Sequence, residues 1–298
     1  MIFKVKALKD EKLVMVNKFS LIVATYGRYI EVVNFLESIL KSDYDSKFIE
    51  IIIVDQNDKI NLNPVIEKYA GVLNIVHIKS NKKGLSLNRN MGLKKATGDI
   101  LAFPDDDCEY LNTTLKEIDE YFNSNDCDLI MGRIVERDGS DSLRKWPKKY
   151  IKINKRNFYT KSSSVTIFFK SSTCKVNFND ALGAGARYGA CEDADLIYKT
   201  IKENKKVMYN PNIKIYHPHY DSSYNMSNEK IFSYGLGFGA MIKSNFDCYM
   251  AMLFIRAQVY HLLKMLRGLF LLNINDIKRS YLALKSRFTG VLQFKGNY

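Results

Sequence analysis

Three consecutive carboxylates, Asp105, Asp106 and Asp107, directly follow an apolar run at residues 99–103. Adjacent carboxylates repel one another, and nothing in the neighbouring sequence neutralises them. A divalent cation would offset that repulsion, because hard oxygen ligands suit Mg²⁺ and Mn²⁺. The alternative interpretation is a solvated acidic loop whose last aspartate caps the helix that follows.

A second group of carboxylates, Glu192, Asp193 and Asp195, follows a stretch of small residues at positions 182–191. These carboxylates stand at the start of a helix predicted over residues 194–203. The helix dipole favours carboxylates in a first turn, so capping alone would explain Glu192 or Asp195. Capping explains the preceding glycines less well, because a simple cap needs no close approach of the backbone.

Two of the four histidines, His217 and His219, come at the end of short apolar runs at residues 207–211 and 213–216. A lone histidine is more often structural than a ligand. A cation site at the three aspartates would make His217 a candidate further ligand.

The elements that must position these groups alternate between strands and helices. Apolar runs predict strands at residues 19–24, 49–54, 72–78, 99–103, 129–135 and 165–169, and helical spacing predicts helices at 29–40, 86–96 and 111–122. This alternation predicts right-handed crossovers and a parallel sheet, whose ligands bind beyond the carboxyl ends of the strands. One pocket there would collect Thr25, Arg28, Asp55, Arg89 and the three aspartates.

Residues 136–163 are polar, basic and irregular, and they contain Trp146. We interpret this segment as a loop near the side of the site where a second substrate, the acceptor, would bind. The alternative is a surface insertion in which Trp146 only packs.

The composition restricts the class of partner. The 298 residues carry a formal net charge of +13, which favours an anionic binding partner. No helix-turn-helix pattern, zinc-finger spacing or aromatic-rich RNA-binding signature is present, so we expect no nucleic-acid partner. The five cysteines are scattered without a CxxC pair, which is typical of reduced thiols in a cytoplasmic protein. No stretch of eighteen uncharged residues occurs, so no spanning helix is predicted.

The C-terminal region, residues 244–298, is predicted to be helical. Residues 248–272 are rich in Leu, Met, Phe and Tyr, but basic residues punctuate them, and a second helix from Ile277 alternates apolar and basic positions. Basic amphipathic helices with broad apolar faces suit the interface of an anionic membrane. The alternative is that these helices dock on the catalytic domain or on a second subunit.

Several motifs together resemble the signature of GT-A family 2 glycosyltransferases, over residues 19–243. The run at residues 84–107 is similar to its Arg-Asn-x-Gly helix, Ala-x-Gly turn and strand ending in an Asp-x-Asp-type motif. Residues 25–28 and 54–55 resemble its nucleotide-binding loops, residues 189–196 its Glu-Asp motif, and residues 234–239 a glycine pattern of polysaccharide-assembling members. Gly27 replaces a usual Asn, and residues 56–58 replace the commoner Asp-Gly-Ser. The resemblance therefore does not predict which nucleotide is bound.

The resemblance implies an α/β fold of the GT-A (Rossmann-like) type, with a mostly parallel central sheet flanked by helices. Residues 1–243 would form the catalytic domain, and residues 244–298 a helical, membrane-interfacial segment. Nucleotide binding would fall to Thr25, Tyr26, Arg28, Asp55, Arg89 and either Asp105 or Asp106. Asp107 would ligate Mn²⁺ or Mg²⁺, with Asp105 and His217 as further ligands. Asp193 would be the general base, and Glu192 would position hydroxyl groups.

The implied activity is an inverting, metal-dependent transfer of a sugar from a UDP-, dTDP- or GDP-linked donor to a glycan hydroxyl. The acceptor would be a lipid-linked glycan, for example on polyprenyl diphosphate, at the inner face of the cell membrane. One rival is a sugar nucleotidyltransferase, for which the loop at residues 25–28 is too short. The other is a non-catalytic glycan- or membrane-binding subunit, against which the intact carboxylates argue.

Overall fold

The computed structural model describes residues 16–173, 175, 177–218 and 226–296, so Cys174 and His219 lie outside the described residues. The strands of the described part are β1 (Phe19–Thr25), β2 (Ile49–Asp55), β3 (Asn74–Lys79), β4 (Ile100–Ala102), β5 (Glu109–Tyr110), β6 (Leu129–Val135), β7 (Ile151–Ile153), β8 (Ile167–Lys170) and β9 (Val207–Tyr216). The α-helices are α1 (Ile30–Leu40), α2 (Asn63–Tyr69), α3 (Leu85–Leu93), α4 (Thr114–Ser124), α5 (Glu192–Lys202), α6 (Asn228–Ser244), α7 (Cys248–Phe270) and α8 (Ile274–Gln293).

The described strands form one sheet in the order β3-β2-β1-β4-β8-β6-β9-β5, and β7 also pairs with β9. Strands β1 to β4 run parallel, as the predicted crossovers require. Beyond β4, strand β8 is antiparallel to both of its neighbours, and β5 and β7 are antiparallel to β9. The α/β class is therefore confirmed, with a parallel first half and a mixed second half of the sheet.

Two strands of the parallel half of the sheet are fully covered. Strands β1 and β2 are buried along their whole length, as expected for parallel strands with helices on both faces. Helix α3 lies close to these strands at Gly92, where an added Cβ would stand 2.5 Å from the Ile22 side chain. The helix that carries Arg89 is thus seated directly on the sheet.

Strand β9 unites the two apolar runs predicted at residues 207–211 and 213–216. Its pairing register with β6 shifts between Met131 and Arg133. Gly132 permits this irregularity, because an added Cβ there would stand 2.6 Å from the carbonyl oxygen of Ile213. Pro211 interrupts the apolar pattern without ending the strand, and the continued strand leads to His217.

The segment at residues 136–163, expected to be an irregular loop, contains the short strand β7. Trp146 is buried within the segment, and its ring stacks on Tyr209 with 6.3 Å between the ring centroids. Its Nε1 donates a hydrogen bond of 2.9 Å to the carbonyl oxygen of Ser142. These are packing contacts, as expected from the alternative interpretation in which Trp146 only packs.

The glycine pattern at residues 234–239 lies inside α6, where α8 packs against it. An added Cβ at Gly239 would stand 2.2 Å from the carbonyl oxygen of Arg287 and 2.8 Å from the Cα of Gly290. Gly235 faces Ser286 in the same way. These small residues let the two helix backbones approach closely, because no side chain stands between them.

Helices α7 and α8 expose many apolar side chains near the turn that joins them. The exposed apolar residues next to the turn are Leu263, Leu266, Leu269, Phe270, Leu271, Leu272 and Ile274. Among the described residues, no helix combines the length and the apolar character that crossing a membrane requires.

Candidate active site

Asp107 and His217 are brought together by the pairing of two short strand ends. Glu109 of β5 pairs with Tyr216 of β9 in antiparallel register, so the residues just beyond this pair face each other. His217 Nε2 lies 3.2 Å from Asp107 Oδ1 and 3.8 Å from Asp105 Oδ2. Ligand atoms of all three residues lie within 4.8 Å of one another. The structure thus assembles the three predicted metal ligands into one group.

This group fits a divalent cation. His217 Nδ1 makes a 2.9 Å hydrogen bond with the carbonyl oxygen of Pro218, an arrangement that leaves Nε2 as the ligand atom in the neutral ring. Burial raises the pKa of Asp105, although Arg89 and His217 oppose the shift. Burial, together with the neighbouring carboxylates, also raises the pKa of Asp106 to about 6. Burial thus disfavours the ionised form of these carboxyl groups, a cost that a bound cation would offset.

Arg89 is fully buried in the centre of the cleft. Its Nη2 donates hydrogen bonds to Asp105 Oδ1 at 2.7 Å and to Ser164 Oγ at 3.1 Å. Its Nη1 lies 3.8 Å from Glu192 Oε1. Arg89 therefore links the two carboxylate groups that the sequence singled out. Its Nε and Nη1 are buried and have no hydrogen-bond partner among the described residues.

Glu192 and Asp193 occupy the first turn of α5, where the helix dipole favours negative charge. The chain enters this helix through Cys191, whose φ of 70° is left-handed. Gly183, with a φ of +96°, lies against the Glu192 side chain, and an added Cβ would stand 3.2 Å from it. The close backbone approach suggested by the small residues is thus an enclosure around Glu192.

The carboxylates of α5 differ in their surroundings. Burial and the charge of Asp193 raise the pKa of Glu192 to about 7, with Arg89 opposing the shift. Asp193 Oδ1 accepts a 2.7 Å hydrogen bond from the N–H of Ala194. Asp195 instead pairs with Lys199 at 2.7 Å and accepts from Asn245 at 2.5 Å. Asp195 therefore ties α5 to the end of α6, as a structural residue.

The predicted nucleotide-binding loop after β1 lies beside the three aspartates. The exposed Tyr26 donates its backbone N–H to Asp106 Oδ2 at 3.3 Å. Arg28 Nη2 donates to Asp107 Oδ2 at 3.2 Å. Thr25 is buried at the end of β1. The loop and the acidic cluster thus form one continuous surface.

Asp55 is buried at the end of β2 and is surrounded by donors. It accepts hydrogen bonds from the Asn57 backbone at 2.8 Å and from Lys79 Nζ at 2.9 Å, and it lies 3.2 Å from His77 Nε2. Burial opposes ionisation, but the bonds from Lys79 and Asn57 hold the pKa of Asp55 below its ordinary value. Asp55 is therefore an ionised anchor of this loop, and its contact with a nucleotide stays a prediction.

The unusual residues after β2 contribute contacts that the sequence did not reveal. Asn57 Oδ1 accepts a 2.6 Å hydrogen bond from the N–H of Gly27, which has a φ of +75°. Gln56 Oε1 accepts from the N–H of Gly84 at 3.0 Å. Gln56 and Asn57, which depart from the common motif, thus connect the loop after β2 with the loop after β1 and with the turn before α3. Their only sequence signal was the departure itself.

A family model for glycosyl transferase family 2 matches residues 20–184, more than half of the chain. The chain belongs to this family. The match covers the acidic cluster and Arg89 but ends before Glu192, Asp193 and His217.

The curated relatives that the chain resembles are named as glycosyltransferases. The chain is 27% identical over 167 residues to the poly(ribitol-phosphate) beta-N-acetylglucosaminyltransferase TarS of Staphylococcus aureus, covering 54% of this chain and 29% of TarS. It is also 27% identical over 172 residues to the GalNAc(5)-diNAcBac-PP-undecaprenol beta-1,3-glucosyltransferase of Campylobacter jejuni, covering 55% of each chain. The alignment thus spans between about a third and about half of these relatives.

Solved structures share the fold over nearly the whole chain. Residues 1–349 of S. aureus TarS in complex with UDP-GlcNAc match with a TM-score of 0.63 and 18% identity, covering 92% of this chain and 81% of that chain. The mannosyltransferase PcManGT from Pyrobaculum calidifontis, in complex with GDP-Man and Mn²⁺, matches with a TM-score of 0.61 and 14% identity, covering 94% and 88%. These likenesses establish the GT-A fold.

Proposed function

We propose that this protein is an inverting, metal-dependent glycosyltransferase that transfers a sugar from a nucleotide-sugar donor to a hydroxyl group of a glycan acceptor. One observation carries the proposal. Arg89 joins a metal-type cluster, through Asp105, to a buried carboxylate at the start of α5, Glu192. A donor diphosphate and an acceptor hydroxyl would therefore meet in a single cleft.

Asp105, Asp107 and His217 would hold the cation. Carboxylate oxygens suit Mg²⁺ and Mn²⁺ alike, and the imidazole nitrogen favours Mn²⁺ of the two. When bound, the ion would supply Lewis-acid stabilisation of a diphosphate leaving group. Arg89, which is held against Asp105, would add a fixed positive charge near the same anion.

Asp193 would serve as the general base. It would accept the proton of the acceptor hydroxyl as the oxygen bonds to the anomeric carbon. The bond from that carbon to the phosphate oxygen would break, its electron pair would remain on that oxygen, and the nucleoside diphosphate would leave. Attack opposite to the leaving group inverts the anomeric centre without a covalent enzyme intermediate. Glu192 would position the reacting hydroxyl groups.

We infer the nucleotide of the donor and the class of acceptor from the chemistry of the site residues and from the relatives. Thr25, Tyr26, Arg28 and Asp55 would contact the base and ribose of a UDP-, dTDP- or GDP-linked sugar, with Asp105 or Asp106 on the ribose. The solved structures that share the fold bind UDP-GlcNAc and GDP-Man. The curated relatives favour a role in cell-surface polysaccharide assembly, with a lipid-linked acceptor as in the Campylobacter enzyme.

We further propose that residues 1–243 form the catalytic unit and that residues 244–298 hold it on the inner face of the cell membrane. Exposed apolar side chains such as Leu269, Phe270 and Leu272 would enter the interface. The net charge of +13 favours anionic lipid over a second copy of this chain, because two such chains repel each other.

The decisive experiment incubates the protein with UDP-, dTDP- and GDP-linked sugars, with and without Mn²⁺. Release of nucleoside diphosphate in the presence of the ion supports the transferase, and release of pyrophosphate from a sugar phosphate and a nucleoside triphosphate would support the nucleotidyltransferase instead. His217→Ala should weaken Mn²⁺ binding in calorimetry. His77→Ala is the matched control, because that histidine contacts Asp55 outside the cluster. No nucleotide-sugar turnover under any of these conditions would leave the non-catalytic subunit as the better explanation.

A further inference from the structure

A cavity of about 280 Å³ lies between α6, α7 and α8, and it extends to the residues that directly precede α5. Its walls combine aromatic and apolar groups with basic ones. Tyr159, Tyr234 and Phe238 form part of the apolar wall, and Arg287 and Lys264 are among the basic residues. The family match at residues 20–184 includes only Tyr159 of these residues, so this cavity is built by the C-terminal part of the chain.

Several residues that line the cavity also carry buried polar atoms with no hydrogen-bond partner in the described part of the chain. These atoms are Arg287 Nε, Arg287 Nη1, His261 Nδ1 and Ser280 Oγ. Buried donors without an acceptor are costly, and most buried polar groups in proteins are satisfied. Unsatisfied atoms on residues that line one cavity therefore indicate a polar ligand.

The charge of the cavity indicates an anion. Lys264, Arg279 and Arg287 line it, and no carboxylate does so among the described residues. Lys264 lies 3.3 Å from Asp276, which offsets part of this charge, and Arg279 donates to the carbonyl oxygen of Met226 at 3.1 Å. Arg287 stacks on Phe238, with 5.1 Å between the guanidinium carbon and the ring centroid. Its guanidinium thus has an aromatic support but no described anionic partner.

The position of the cavity connects it with both the chemistry and the exposed apolar surface. Ala190 and Cys191 line it, and the next residues in the chain are Glu192 and Asp193. On its other side, His261 and Lys264 belong to α7, whose neighbouring Leu263 is exposed. A ligand in the cavity would therefore lie between the proposed general base and the proposed membrane face.

We propose that this cavity binds a phosphate group carried on an apolar chain, the anchor of a lipid-linked acceptor. The proposal rests on the transferase function proposed above. Arg287, Lys264 and Ser280 would contact the phosphate oxygens, and the aromatic wall would contact the first part of the lipid. The glycan end of such an acceptor would then extend towards Asp193.

The test measures binding of farnesyl diphosphate by calorimetry, in EDTA so that the Asp105–Asp107–His217 cluster holds no cation. Inorganic diphosphate and glycerol 3-phosphate serve as probes without a lipid. Arg287→Gln should weaken farnesyl diphosphate about ten-fold, the scale of a lost charge-assisted contact. Lys264→Gln, at a partly exposed position, should weaken it about three-fold. Arg256→Gln on the exposed side of α7 is the matched control and should bind as the wild type does.

Equal affinity of wild type, Arg287→Gln and Lys264→Gln would overturn the proposal, with thermal melts used to verify that each variant is folded. Displacement of farnesyl diphosphate by UDP would also overturn it, because the probe would then occupy the donor site. Binding of inorganic diphosphate or glycerol 3-phosphate as tightly as the farnesyl probe would overturn the lipid source. Failure of the wild type to turn over any nucleotide sugar would instead refute the transferase function, whatever the cavity binds.

Discussion

His217 Nε2 lies 3.2 Å from Asp107 Oδ1, and this contact depends on the pairing of β5 with β9. Asp107 follows β4, whereas His217 follows β9, which comes much later in the sequence. Neither segment alone presents a metal site. The contact is therefore a product of the sheet order, in which β9 lies between β6 and β5.

The first prediction concerns the general base. Asp193→Asn should lower the turnover number at least about a hundred-fold, because the amide cannot accept the acceptor proton, while donor affinity stays near that of the wild type. Turnover assays and calorimetry with the donor measure the two effects. Asp195→Asn is the matched comparison, since Asp195 pairs with Lys199 and should affect stability more than turnover. Loss of donor binding in Asp193→Asn would contradict the assignment.

The second prediction concerns pH. Because burial and Asp193 raise the pKa of Glu192 to about 7, the folded state binds its proton more tightly than the unfolded state does. The stability from this proton is fully present below about pH 4.5 and is lost as the pH rises through about 7. Glu192→Gln should therefore raise the stability of the metal-free protein at neutral pH, by an amount on the order of 1–3 kcal/mol.

Urea denaturation across this pH range, in EDTA, measures that effect. Glu203→Gln, at an exposed position at the other end of α5, is the control and should change the stability little. An identical pH profile for Glu192→Gln and the wild type would show that Glu192 ionises normally in the folded protein.

The third prediction concerns the contact between α6 and α8. Gly239→Ala would place a methyl group 2.2 Å from the carbonyl oxygen of Arg287, so the helices must separate. We expect a loss of about 1–3 kcal/mol in the free energy of unfolding, the usual scale of overpacking. Gly71→Ala is the matched control, because an added Cβ there meets no atom within 4 Å. Equal melting temperatures for the two variants would argue that α8 is held by other contacts.

The fourth prediction concerns the membrane. The double variant Phe270→Ser, Leu272→Ser removes two of the most exposed apolar side chains. It should bind vesicles of phosphatidylglycerol at least about a hundred-fold more weakly than the wild type in a sedimentation assay, since two side chains that each contribute roughly 1.5–3 kcal/mol when fully transferred together account for about 3–6 kcal/mol. Added salt should weaken the wild type as well.

Leu40→Ser, on the exposed end of α1, is the control for that assay. Binding that is equal on phosphatidylglycerol and phosphatidylcholine vesicles would exclude an electrostatic part in membrane recognition. Absence of binding by the wild type to either vesicle would favour a protein partner for α7 and α8.

Much of the fold followed from local patterns. Strands β1, β2 and β6 matched their apolar runs closely, because fully buried strands need continuous apolar residues. The antiparallel insertion of β8 and the pairing of β7 with β9 were not predicted, since pairing direction depends on contacts between distant segments. Pro211 also broke the pattern of β9, and the shifted register that accommodates it depends on Gly132 of another strand.

The sequence predicted which residues lie in the candidate site better than it predicted how their charges interact. The grouping of Asp105, Asp107 and His217 agrees with the prediction. The buried link from Arg89 to Glu192 could not be foreseen, because it requires α3 and α5 to meet across the glycine-rich turn at Gly183. The roles of these residues in catalysis stay predictions until the experiments above are done.

The sheet order also has a consequence for biosynthesis. Strand β5, which immediately follows the acidic cluster, pairs only with β9 in the described part of the chain. A nascent chain that has emerged only as far as residue 184, the end of the family match, therefore lacks β9, His217 and Asp193. Such an incomplete chain cannot assemble the cleft described above. The carboxylates that follow β4 are thus synthesised well before the two elements, α5 and β9, that complete the cleft around them.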